Sequence, residues 1–107
     1  MKFENDVKAY IKAAERGDVA AQCNLGVCYY NGDGVMPSDE KAAYWFTKAA
    51  EQGYAYAQFA LGACYEYGKG VSKDCQKAIS WYRKAMKQGH TDAKERYDAL
   101  CRQGYRA

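Results

Sequence analysis

One histidine, five cysteines and two glycine pairs are the residues of this 107-residue chain whose types could do chemistry. His90 follows Gly89, at a position held by Tyr54 and Asp18 one and two internal repeats earlier. With no second histidine and no evident nucleophile it forms no acid–base pair, and a turn is its expected setting. Cys23, Cys28, Cys64, Cys75 and Cys101 are odd in number, and none stands in the Cys-x-x-Cys spacing that seeds a zinc site. They are expected to be reduced thiols packed as small apolar residues, although a Cys64–Cys75 bridge is geometrically conceivable. Gly32-Asp33-Gly34 and Gly68-Lys69-Gly70 look like fragments of a phosphate-binding fingerprint. They follow no strand and recur at one spacing, which marks them as turns. No catalytic residue, cofactor or metal is therefore expected, and the chain does not read as an enzyme.

The elements that would carry these residues are helical. Hydrophobic residues make up 49% of the chain, mostly Ala and Tyr, and there is a single proline. That mixture suits close helix packing, with aromatic plugs between small residues. The formal charge is +3, and cations alternate with acids, as in Lys94, Glu95, Arg96 and Asp98. No cationic stripe of the kind nucleic-acid binders carry is visible. The amino terminus has no apolar run suited to a signal peptide, and no stretch reaches membrane-spanning length, so a cytoplasmic protein without nucleic-acid or membrane partners is expected.

Shifted by 36 residues, the sequence overlays on itself. Between residues 21–53 and 57–89 there are 16 identities in 33 positions, from Ala21/Ala57 and Gln22/Gln58 to Gln52/Gln88 and Gly53/Gly89. Chance would give about two, so a repeat architecture follows. A half repeat near 4–17, full repeats near 19–53 and 55–89, and a modified half repeat or cap near 91–107 make up a single domain.

Each unit is punctuated into two helices. Ala57, Ala60, Leu61, Cys64 and Tyr65 recur at three and four, which predicts an amphipathic helix near 55–67. Gly68 and Gly70 end it, and Asp74, like Ser38 one unit earlier, is placed to cap the next. Lys77, Ala78, Trp81 and Ala85 are expected to give that helix its inner face. Six antiparallel helices result, near 4–16, 19–30, 39–52, 55–67, 75–88 and 91–103. Gly26 and Gly62 fall inside helices, where glycine costs about 1 kcal/mol against alanine. Their repetition predicts a close helix–helix approach. Trp45 and Trp81 are expected to fill the space between layers, and Val35 and Val71 to tuck each turn against the core.

The run Leu-Gly-x-x-Tyr-x-x-Gly-x-Gly-Val, followed by Lys-Ala-x-x-Trp-(Phe/Tyr)-x-Lys-Ala, occurs twice and resembles the Sel-1-like repeat family, a relative of the tetratricopeptide repeats. The resemblance implies an all-α fold, an α/α superhelix stacked as a short right-handed solenoid, and a role as adaptor or scaffold in protein assembly. A secreted, cysteine-rich branch of the family sets paired cysteines after the Lys-Ala pair and before Leu-Gly. This chain has Ala50, Met86, Gln22 and Gln58 there, which argues against the penicillin-binding or β-lactamase-like activity suggested for that branch.

The first helix of each unit has a second apolar stripe: Tyr56, Phe59, Ala63, Glu66 and Tyr67. One repeat earlier these become Ala20, Cys23, Val27, Tyr30 and Asn31, and one repeat later Asp92, Glu95, Ala99, Arg102 and Gln103. A helix apolar on two faces is either buried twice or offers one face to a partner. The expected binding surface is therefore a concave groove with aromatic residues at its centre and charge toward Glu95 and Arg102. Its expected occupant is a peptide or protein segment. The alternative is self-association, with the same stripe or an end cap forming a homodimer.

Overall fold

The computed structural model describes residues 2–106, with side chains from Val7 onward; Met1 and Ala107 lie outside the described residues. Six α-helices follow one another: α1 (Lys2–Glu15), α2 (Val19–Asn31), α3 (Asp39–Glu51), α4 (Ala55–Tyr67), α5 (Cys75–Lys87) and α6 (Thr91–Arg102). The fold is an all-α superhelix of stacked helical hairpins. Each helix packs chiefly on its sequence neighbours, as in any solenoid. The body is elongated, 46 × 23 × 18 Å.

Local chemistry sets the boundaries. Asp18, Ser38 and Asp74 accept the N–H groups of Ala21, Lys41 and Lys77 at 2.9, 3.1 and 3.0 Å, so α2, α3 and α5 each start on a side-chain cap. Gly32 and Gly68 close α2 and α4 in the left-handed conformation, with φ of 76° and 68°. Gly70 is constrained further, because a Cβ there would run into the Asp39 carbonyl at the start of α3.

Gly26 and Gly62 mark the predicted close approaches, and the structure identifies what approaches. A Cβ on Gly26 would lie 2.7 Å from the Phe46 ring, and one on Gly62 2.7 Å from the Tyr82 ring. The inner face of the second helix in each unit therefore differs from the expected one. Lys77 is exposed and Trp45 and Trp81 are half-buried, whereas Phe46 and Tyr82, one residue later, are buried. The face runs Ala78, Ile79, Tyr82, Ala85, a three-and-four spacing that sends Trp81 to its margin. Val35 and Val71 are half-buried against the core as expected.

A repeated amide ladder ties the hairpins together. Gln22 and Gln58 donate to the Ala14 and Ala50 carbonyls at 3.1 and 3.3 Å, adding a side-chain donor to acceptors near the ends of α1 and α3 that also take the Gly17 and Gly53 N–H groups at 3.0 Å. Gln52 and Gln88 then donate to Gln22 and Gln58 at 2.7 and 3.0 Å. Both glutamine pairs are among the repeat identities.

Candidate functional site

Between α2 and α4, with the buried ring of Phe46 at its base, lies an apolar groove of about 300 Å³. Val27, Tyr30 and Asn31 form one wall; Tyr56, Phe59, Ala63 and Tyr67 form the other. Seven of the residues expected to face a partner are thus brought together. Tyr30, Tyr56 and Tyr67 are 51%, 48% and 58% exposed, so their rings stand open to solvent.

Four residues of the expected surface lie elsewhere. Cys23 is buried in the core, where the smaller thiol sits at the position that Phe59 occupies one repeat later. Glu66 is buried too and points into the next inter-repeat space. It accepts from Tyr82 Oη at 2.7 Å and Arg96 Nε at 3.2 Å, and its second oxygen pairs with Arg96 Nη2. Glu95 and Arg102 are exposed on α6 and do not line the groove. The charged end of the predicted surface is therefore a separate place, because the Glu66–Tyr82–Arg96 network occupies the equivalent space between α4 and α6. The structure adds Phe46, Ala60, Cys64 and Lys69 to the groove. Lys69 could have been found in the turn directly after Tyr67. Phe46 could have been found by starting the three-and-four count of α3 at Ala42 and Ala43.

His90 supports one wall. Its Nδ1 accepts the Ala93 N–H at 3.1 Å, capping α6, and its ring stacks on Phe59 with centroids 4.7 Å apart. A neutral imidazole that accepts at Nδ1 carries its proton on Nε2. Phe59 also meets Tyr82 at 5.9 Å and Tyr56 at 6.3 Å, so it is the groove ring with the most aromatic contacts. Burial pushes the Cys23 thiol up to about 11, and burial with the Asp39 charge does the same for Cys64. At neutral pH neither is a thiolate, so neither is an activated nucleophile. Burial and the bond to Glu66 also raise the Tyr82 hydroxyl well above its ordinary range.

Among the described residues no group of three or more His, Cys, Asp or Glu side chains could hold a metal ion. No helix among them is long and apolar enough to cross a membrane. What the groove offers is apolar contact area, with Asn31 and Lys69 as polar groups at the end where α2 and α4 finish.

Stacked hairpins with a repeating glycine, glutamine and aromatic grammar define an α-helical repeat protein. The Sel1 repeat family model matches residues 10–18, 19–54 and 55–90, and the chain belongs to that family, whose fold generally serves as a protein-interaction module. A Sel1 repeat protein from Oxalobacter formigenes is similar at 41% identity and a TM-score of 0.90, over 96% of this chain and 42% of that one. The protective antigen c5321 of uropathogenic Escherichia coli strains, which displays the same fold, is similar at 34% identity and a TM-score of 0.87, over 92% of this chain and 21% of that one. Cysteine rich protein B of Helicobacter pylori is similar at 30% identity and a TM-score of 0.78, over 83% of this chain and 67% of that one. The chain thus spans less than half the length of the first two. No curated protein is a match.

Proposed function

We propose that the chain is a cytoplasmic adaptor or scaffold module that holds an apolar segment of a partner protein in the groove between α2 and α4. The single observation that carries this reading is the cluster of half-exposed tyrosines around an unfilled apolar cleft. Exposed aromatic clusters of this size are unusual on a surface that has no partner. Tyrosine also supplies contact area at low entropy cost, which suits it to binding hot spots. Tyr56 and Tyr67 stand eleven residues apart on α4, or about 16 Å along its axis. That length matches about five residues of extended chain. The cytoplasmic setting is supported by cysteines used as packing groups, since Cys23 and Cys64 are buried as thiols.

A displayed random-peptide library, selected on the intact chain, tests the proposal. Enriched peptides should carry two or three apolar side chains and lose at least about tenfold in affinity for the Tyr30→Ala/Phe59→Ala/Tyr67→Ala variant. Peptides that bind both proteins equally would end the groove reading. A stable dimer mass in light scattering, lost in the same variant, would assign the groove to a second copy instead.

A further inference from the structure

Two residues along a helix turn a side chain through about 200°, so Tyr65 faces away from the groove that Ala63 and Tyr67 line. There it meets α5, and Tyr65, Gln76, Lys77, Ser80, Trp81 and Lys84 surround a shallow depression of about 400 Å³. The Lys77 Nζ sits 5.4 Å from the Tyr65 ring centroid, and the Lys84 Nζ 4.8 Å from that of Trp81. An aromatic face attracts a cation without neutralising it. Among the described residues neither ammonium takes part in an ion pair. Arg83 and Lys87 add two more exposed cations to α5, which holds no Asp or Glu along its length. The acid closest in sequence, Asp74, is the N-cap and accepts the Lys77 N–H.

The preceding unit shares the pattern but not the charge. On α3, Lys41 lies 5.4 Å from the Tyr29 ring and Lys48 5.4 Å from the Tyr44 ring. Asp39 and Glu40 in its first turn and Glu51 at its last position give that helix a mixed field. Among the described residues, α5 alone joins two lysine–aromatic pairs to a helix without acids.

We propose that this α5 face is a second docking surface, which takes an acidic segment of a partner protein with carboxylates seated on Lys77 and Lys84. Seven residues separate the two lysines, about 10 Å along the helix. Side chains three residues apart on a polyproline-type extended chain share one side and lie about 9 Å apart, so acids at every third position match the pair. Single-stranded nucleic acid is the less suited polyanion. Base stacking needs open ring faces, and here an ammonium group lies over one face each of Tyr65 and Trp81. A carboxylate needs only the N–H donors that remain turned outward.

The test is fluorescence anisotropy with a fluorescein-labelled peptide carrying Glu at every third position on a Ser/Pro background, at low salt. Lys77→Glu/Lys84→Glu should weaken binding about tenfold, and Lys41→Glu/Lys48→Glu, the same change in net charge, no more than about twofold. The milder Lys77→Gln/Lys84→Gln should weaken it about threefold, which guards against a folding defect in the charge reversal. The groove variant Tyr30→Ala/Phe59→Ala/Tyr67→Ala should bind the acidic peptide as the intact chain does, so failure here is distinguishable from failure of the groove. Equal losses in the two charge-reversal variants would reduce the effect to net-charge attraction and overturn the proposal. So would no binding to the intact chain, or tighter binding of an oligothymidylate of matched length.

Discussion

The space between α2 and α4 and the space between α4 and α6 are built on equivalent helices, yet one is open and the other is filled. Three positions make the difference. Tyr30, Phe46 and Ala60 border the open groove; Glu66, Tyr82 and Arg96 stand one repeat later. In the second space the Glu66 carboxylate accepts from both Tyr82 and Arg96, and α6 is fastened to α4 and α5 through it. Arg96 is held charged by the same bond, its guanidinium raised further above its ordinary range. A repeat scaffold can therefore assign separate tasks to neighbouring interfaces by changing side chains at equivalent positions. One interface keeps apolar surface uncommitted, and the other seals the end of the stack.

Removing one side of the sealed interface should give the largest effect. A buried pair contributes little net stability against an apolar replacement, but breaking it strands the remaining partner. Glu66→Ala leaves the Tyr82 hydroxyl and the Arg96 guanidinium without their acceptor. Because Arg96 is partly exposed, the expected loss is about 3 kcal/mol, at the low end for a buried pair. Urea denaturation followed by circular dichroism would measure it. A loss below about 1 kcal/mol would mean that water replaces Glu66 and that the network does not fasten α6.

The two helical glycines sharpen the contrast at intermediate size. Each substitution to alanine gains about 1 kcal/mol of helix propensity and meets an aromatic ring. The rings differ in their freedom to move. Phe46 borders the open groove, whereas Tyr82 is fully buried and tethered by its hydroxyl to Glu66. An added Cβ at Gly62 also comes within 3.3 Å of the Ala78 carbonyl oxygen. Gly62→Ala should thus cost about 2 kcal/mol, and Gly26→Ala less than about 1 kcal/mol. Equal costs would show that the first space is packed as rigidly as the second.

How far this contrast was legible in the sequence follows from what repeats and what does not. The helices, caps and turns were readable because Gly32/Gly68 and Ser38/Asp74 recur at one spacing with a local physical reason for each. The groove was readable from the second stripe on α4, but its register was not. Carrying that stripe along by 36 residues treats every interface alike, which placed Cys23, Glu95 and Arg102 on a surface they do not share, and the α4 stripe itself took in the buried Glu66. Local periodicity assigns a residue to a helix face; it does not reveal that Glu66 meets an arginine thirty residues later. The glutamine ladder was visible as identities without a role, since its acceptors are main-chain carbonyls and glutamine side chains of other helices.

The smallest predicted effect bears most directly on function. Tyr30, Tyr56 and Tyr67 each leave about half of their surface in water, so truncation to alanine forfeits only part of a buried ring's contribution. Alanine also returns about 0.5 kcal/mol of helix propensity relative to tyrosine. The two terms nearly cancel, and each single variant should change stability by less than about 0.5 kcal/mol. Phe59→Ala should cost about 2 kcal/mol, because that ring rests on His90 and Tyr82. Parallel urea titrations of the four variants give the comparison. If the three tyrosines cost as much as Phe59, they are wedged between hairpins and serve the core. If they cost nothing, the monomer's stability gives no reason for three large rings to stand together in water, and a bound segment is what would bury them.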